Sequence, residues 1–322
     1  MIIVTGGAGF IGSNIIKGLN QMGFEDILVV DRLGSSDKYR NLTDLKFNNY
    51  LNKDRFRQML RENRLAHEDI QVVFHQGACS NTMEMDGDYM MDNNLSYSVE
   101  LLDFCLERRI PFIYASSAAV YGSGRMGFRE ERSCEGPLNP YGLSKLIFDN
   151  HVRSRLKSAS SPVVGLRYFN VFGPNEFHKG KMASVAYHFY NQLTATGKAR
   201  LFKGTDGYGH GEQRRDFVYV KDVVRVNLWF WTNGGPSGIY NCGTGTSRTF
   251  NHVAQGLIRV LGRGEVQYVD FPDSLRGRYQ NHTEADLTRL REAGCPHRFT
   301  PLEEALEDYC RFLAENQDRA GA

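Results

Sequence analysis

The 322-residue sequence predicts an α/β fold, a doubly wound parallel sheet with a smaller mixed α/β domain attached. Three observations predict it. Short β-branched runs alternate with helix-period segments up to about residue 170, a glycine-rich turn joins the first run to the first helix, and the regularity weakens thereafter. The length suits roughly two domains. Apolar residues at 41%, charged residues at 24%, 33 Gly and 9 Pro exclude a disordered or collagen-like chain.

The elements follow in order. Ile2-Ile3-Val4 is an apolar strand, and beyond the turn Ile11, Ile15, Ile16 and Leu19 are spaced for one buried helix face. A second strand over 26–30 stops at Asp31. Strands over 72–74, 111–115 and 163–167 are separated by helical patterns over 97–107 and 140–156. A short helix over 183–192 and a polar, glycine-rich loop over 204–211 mark the smaller domain. A strand over 218–220 and a helix over 223–231 return to the first domain, and an amphipathic helix over 299–312 closes the chain. The first domain is therefore expected over 1–170 with returns near 216–245, and the second over 171–215 and 246–322.

The 39 basic and 37 acidic residues are spread along the chain with a net charge of +2, so no nucleic-acid partner is expected. No run approaches the ~18 apolar residues of a membrane span, and Met1-Ile2-Ile3-Val4 lacks the basic start of a signal peptide. A cytoplasmic protein with no membrane partner is expected. Cys79, Cys105, Cys134, Cys242, Cys295 and Cys310 form no C-x-x-C pair, which fits reduced thiols buried as small apolar residues, with no metal site.

The turn Thr5-Gly6-Gly7-Ala8-Gly9-Phe10-Ile11-Gly12 lies between a strand and a helix, the context in which glycines cradle a pyrophosphate. Gly6 permits the tight turn, Gly9 lets the backbone approach the anion, and Gly12 allows close helix packing, with Phe10 and Ile11 opening the helix whose amides face the phosphates. A Rossmann-type dinucleotide site follows. Asp31 at the end of the second strand suits the ribose of NAD, whereas Arg32, Lys38 and Lys53 could meet the 2′-phosphate of NADP. NADP is the expected cofactor, with NAD open.

Tyr141-Gly142-Leu143-Ser144-Lys145 puts a phenol and an ammonium on one helix face, after Pro140 and downstream of a strand that ends at Ser117. A phenol near its ordinary pKa of about 10 is a poor base unless nearby positive charge, from Lys145 and an oxidised nicotinamide, favours the phenolate. Tyr141 would then exchange a proton with an alcohol while Ser117 bonds the same oxygen.

With these segments the sequence resembles the extended short-chain dehydrogenase/reductase family of nucleotide-sugar enzymes. The likeness is carried by T-G-G-A-G-F-I-G at 5–12, H-Q-G-A at 75–78, D-N-N at 92–94, S-S-A-A-V-Y-G at 116–122, P-Y-G-L-S-K at 140–145, R-Y-F-N-V-F-G-P at 167–174 and R-R-D-F-V-Y-V at 214–220. It implies a dinucleotide-binding first domain and a nucleotide-sugar-binding second one. It also implies cofactor contacts from Gln76, Gly77, Ala78, Ser80, Asn93, Val171 and Lys179, besides Tyr141 and Lys145. For the substrate it implies Ser117, Asn170, Lys181, His188, Phe202, Lys203, Gly204, Thr205 and Tyr279, with Arg215 and Arg278 as partners for a diphosphate. A homo-oligomer is implied as well.

Within the family, the segments 76–80, 90–94, 178–180, 182–186 and 271–280 resemble the epimerases that act on ADP-heptoses. Gln76 stands where that likeness expects Glu, Lys181 where it expects Ser, and residues 204–213 are lengthened. The implied reaction inverts C6 by transient oxidation to a ketone and re-reduction, in the synthesis of lipopolysaccharide core precursors. Lys179 is the candidate second acid–base group, with His178 the lesser choice, or else Lys179 is a contact to the nicotinamide or diphosphate. A dehydratase would need an acid and a base after Ser117, where Ala118-Ala119 stand. Another nucleotide-sugar 4-epimerase or reductase remains open, as does a non-catalytic nucleotide-binding regulator.

Overall fold

The computed structural model describes residues 1–273 and 280–316. In chain order it forms β1 (Ile2–Thr5), α1 (Phe10–Gln21), β2 (Ile27–Asp31), β3 (Asn49–Asn52), α2 (Lys53–Arg61), β4 (Val72–His75), α3 (Gly87–Met90), α4 (Tyr97–Glu107), β5 (Phe112–Ser117), α5 (Pro140–Arg155) and β6 (Val163–Tyr168). There follow β7 (Asn170–Phe172), α6 (Val185–Thr196), β8 (Lys198–Phe202), β9 (Arg214–Arg215), β10 (Phe217–Tyr219), α7 (Val220–Thr232), β11 (Gly238–Cys242), β12 (Arg248–Thr249), α8 (Phe250–Leu261), β13 (Glu265–Val269), α9 (Thr288–Glu292) and α10 (Leu302–Glu315).

Seven strands form one sheet in the order β11-β6-β5-β4-β1-β2-β3, and each pairing is parallel. The strands β1, β2, β4 and β6 are buried throughout, as a sheet covered on both faces requires. Strand order reverses between β1 and β4, so their carboxyl ends open a crevice at the switch point. The sequence pattern misses β3, whose Asn49-Tyr50-Leu51-Asn52 is a polar edge strand without an apolar run.

A second core gathers Phe172 from β7, Tyr187, Tyr190 and Leu193 from α6, Leu201 from β8, and apolar residues of α8 and α10. Here β8 pairs in parallel with β13, and β7 with β10. Val220, read from sequence as strand, instead starts α7, which packs against α1. Among the described residues no helix is long and apolar enough to cross a membrane.

The helix that carries Tyr141 and Lys145 starts sharply. Asn139 caps α5 by accepting from Gly142 N–H at 2.8 Å, and Pro140 occupies its first turn, where its missing N–H loses nothing. Between α3 and α4 the chain widens to a π-turn over Met91–Ser96, which turns Asn93 and Asn94 inward.

Candidate active site

A cleft of about 830 Å³ runs along the carboxyl ends of β1, β4 and β5. Its lining joins the glycine turn, Asp31, the loop after β4, Ser117, Tyr141 and Lys145 to Asn170, Val171, Lys179 and Arg215 from the far side.

The glycine turn is built for close approach. Gly6 has φ +64°, and a Cβ there would lie 2.7 Å from Gly77 N; a Cβ on Gly12 would lie 2.2 Å from the Gly6 carbonyl oxygen. Gly9 caps α1 without any side-chain bond, so the first amides of the helix are open to an anion at its positive end. Gln76 also lines the cleft; its Oε1 accepts from the Tyr168 hydroxyl at 3.0 Å, while its buried Nε2 has no partner among the described residues. A polar ligand that supplies an acceptor satisfies that amide. These features fit a dinucleotide.

At the outer end of the cleft, Asp31 Oδ2 accepts from Ala8 N–H at 2.9 Å, and Oδ1 accepts from Arg32 N–H at 2.6 Å and from the Lys38 ammonium at 2.7 Å. Lys53 donates to Asn93 Oδ1 at 2.7 Å, so these two expected cofactor residues meet. His178, from the loop before α6, lies at 3.2 Å from Asn41 Nδ2, and burial beside Lys38 and Lys179 pulls its imidazole down to about 4.

Deeper in, the Tyr141 hydroxyl faces Ser117 across the cleft. Ser117 ends β5, and its Oγ accepts from Ala119 N–H at 3.1 Å. The Lys145 ammonium donates to the Ala115 carbonyl at 2.8 Å; burial pulls it down to about 8, opposed by Asp149 and Cys79. The sequence leads one to expect Lys145 to favour the phenolate. In the chain by itself burial instead pushes the Tyr141 phenol up, with Ser117 opposing. Lys179 lies 5.4 Å from the Phe10 ring centroid, and burial lowers its affinity for a proton, against the pull of Glu176.

The other expected substrate residues divide. Asn170 and Arg215 line the cleft, with the Arg215 guanidinium 5.7 Å from the Phe250 ring centroid. His188 and Phe202 line a side cavity of about 160 Å³ that shares Val185 and Phe250 with the cleft. Lys181, Lys203, Gly204 and Thr205 line neither. Lys181 is exposed, Lys203 pairs outward with Asp270 at 2.8 Å, and Gly204 and Thr205 sit in the loop after β8, where Gly204 N–H bonds His210 at 2.9 Å. Arg278 and Tyr279 lie outside the described residues.

Sequence reasoning missed Cys79, Tyr89 and Tyr168 as cleft residues, while His178, the lesser choice beside Lys179, does line the cleft. Five of the six thiols are buried, but Cys79 is half-buried at the cleft wall, held by a Cys79 N–H bond of 2.8 Å to Asn94 Oδ1. Its place beside Gln76-Gly77-Ala78 was the available signal.

A doubly wound parallel sheet with a glycine cradle and a Ser-Tyr-Lys group at its strand ends is the architecture of the short-chain dehydrogenase/reductase class. Residues 2–243 match the NAD dependent epimerase/dehydratase family, and the chain belongs to it. An ADP-L-glycero-D-manno-heptose-6-epimerase from Helicobacter pylori is similar at 31% identity, over 97% of this chain and 96% of that one, with a TM-score of 0.85. A UDP-N-acetylglucosamine 4-epimerase from Methanobrevibacter ruminantium shares 28% identity over 98% of each chain, with a TM-score of 0.83. A Thermus thermophilus UDP-glucose 4-epimerase in complex with NAD shares 26% over 98% of this chain and 99% of that one, with a TM-score of 0.79. The family indicates an NAD(P)-dependent enzyme acting on nucleotide sugars.

Proposed function

We propose that the chain is an ADP-L-glycero-D-manno-heptose 6-epimerase that uses tightly held NADP, in the cytoplasmic synthesis of lipopolysaccharide core precursors. The observation that carries the reading is the Tyr141–Ser117 pair beside Lys145 in a cleft where Ala118-Ala119, unable to donate or accept a proton, stand next to Ser117. That leaves redox inversion rather than elimination of water. The likeness to the Helicobacter enzyme along the whole chain supports the heptose.

The dinucleotide, when bound, supplies a reversible two-electron acceptor. The chain's residues handle the rest. Tyr141 Oη, as the phenolate, takes the proton of the C6 hydroxyl of one epimer and gives it back when the reaction runs the other way, Ser117 Oγ steadies the same oxygen, and the Lys145 ammonium offsets the negative charge of the phenolate. Lys179, whose buried ammonium gives up its proton more readily than an exposed one, serves the opposite epimer. Arg215 holds the diphosphate. An ADP-heptose as the small-molecule partner and assembly into a homo-oligomer belong to the same reading.

With a single ADP-heptose epimer and no added reductant, the purified protein is expected to bring both epimers to a fixed ratio, with deuterium at C6 retained. Lys179→Met is expected to slow this about 10²-fold. Deuterium lost to water overturns the redox route, and full activity in Lys179→Met overturns the second acid–base group. Conversion of UDP-sugars instead of ADP-heptose would favour the 4-epimerase reading, which the 28% identical relative supports.

Charge supports NADP in this reading. Asp31 is already engaged by Lys38 and two N–H groups, and Arg32 and Lys53 line the same cleft, so cations exceed anions there. Nucleotides released on denaturation are expected to be NADP by mass spectrometry. The double variant Arg32→Ala/Lys38→Ala is expected to weaken NADP about 10-fold or more, at the scale of charge-assisted bonds, while NAD is little affected. Equal weakening of both would refute the assignment.

A further inference from the structure

Helix α5 carries Tyr141 and Lys145 and, one turn further on, Asp149, a carboxylate with no exposure that does not reach the cleft. Its Oδ1 accepts from the Tyr114 hydroxyl at 2.9 Å, and its Oδ2 accepts from Ser116 Oγ at 2.9 Å and Arg167 Nε at 2.9 Å. Tyr114 and Ser116 flank Ala115, the residue whose carbonyl receives Lys145, and the next residue along β5 is Ser117. One carboxylate therefore ties the helix bearing the phenol and the ammonium to the strand bearing the hydroxyl.

Opposite charges meet around it. Arg167 on β6 is fully buried and shares its guanidinium between Asp149 and Glu135, while Glu135 also takes Arg153. Two guanidinium groups thus meet two carboxylates, and Lys145 is the unmatched cation. The groups facing Lys145 are Tyr141 and Asp149 on α5, His75 on β4, which burial holds neutral by pulling it to about 3, and Cys79 after β4. Asp149 is the carboxylate among them.

We propose that Asp149 is a positioning residue for the reaction: through Tyr114, Ser116 and Arg167 it sets Tyr141 and Lys145 against Ser117. The inference rests on the reading that Tyr141 and Lys145 handle the proton.

Asp149→Asn in the full-length, dinucleotide-loaded protein keeps the shape and removes the charge. Its kcat is expected to fall about 10- to 100-fold, as small misplacements at a reacting group do, with KM little changed. The sign of the pH effect is fixed. Activity needs protonated Lys145 and is lost as pH rises through its pKa; removing a nearby negative charge lowers that pKa, so the alkaline limb moves to lower pH. Tyr114→Phe and Ser116→Ala remove one bond each and keep the charge, so kcat falls and the limb stays. Wild-type kcat and limb in Asp149→Asn overturn the proposal. If that variant binds no dinucleotide and does not fold, the Tyr114→Phe/Ser116→Ala pair decides, and unchanged kcat in it overturns the positioning role.

A readout without substrate separates this from the epimerase reading. In protein with isotope-labelled lysine, the Lys145 resonance, assigned by its loss in Lys145→Met, is expected to titrate at lower pH in Asp149→Asn. That shift upholds the placement even if the wild type fails to invert ADP-heptose, and an unshifted titration overturns it even if the wild type succeeds.

Discussion

Replacing Tyr141 by phenylalanine is expected to lower kcat about 10³-fold or more while the protein stays folded and loaded with dinucleotide. The ring remains in place on α5, so the cap at Asn139 and the contacts of the helix with β5 persist. Only the hydroxyl goes, and Ser117, which it faces, keeps the Ala119 N–H bond of 3.1 Å. The loss is therefore chemical rather than structural. As a base Tyr141 must give up its own proton first, so with the dinucleotide bound, its positive charge opposing the upward push of burial, the acid limb of kcat belongs to Tyr141, and the residual activity of the variant should lack it. Epimer ratios followed by chromatography, with melting temperature and bound nucleotide measured on the same sample, separate the two kinds of loss. A fall of less than about 10-fold would mean that another group takes the proton.

Much of this machinery is legible in the sequence because it is local. The run Ile2-Ile3-Val4, the glycine turn and the apolar face of α1 are adjacent in the chain, and steric rules alone assign them. Tyr141 and Lys145 are likewise one helical turn apart. What stays hidden is long-range or directional. Glu135, Asp149, Arg153 and Arg167 read as scattered surface charges until β6 and α5 bring them together in the core. The π-turn that turns Asn93 towards Lys53 leaves no periodic mark. Likeness to a family gives Lys203 and Thr205 a position along the chain but not a side-chain direction, and the lengthened loop after β8 carries them away from the cleft.

Gly12→Ala is expected to destabilise the protein by about 1–3 kcal/mol, as overpacking does, and to leave it without dinucleotide. Alanine in a helix would otherwise gain about 1 kcal/mol over glycine, so the sign depends on what the new methyl group meets. It meets backbone: the Gly6 carbonyl oxygen at 2.2 Å, with Gly6 C and Gly7 Cα both at 2.8 Å. Those atoms cannot rotate aside, because Gly6 is itself held at φ +64° against the start of the loop after β4. The helix must lift from the turn, and the amides that face the phosphates lift with it. Gly9→Ala supplies the contrast. Its Cβ would meet the Gly6 carbonyl oxygen at 3.0 Å and otherwise nothing nearer than 4.0 Å, so the fold tolerates it, while the methyl group enters the space left for the anion. Thermal melting and nucleotide content should therefore separate the two, with Gly12→Ala losing both and Gly9→Ala losing cofactor at a near-normal melting temperature. A Gly12→Ala protein that melts normally and keeps its dinucleotide would show that α1 does not need this close approach to the turn.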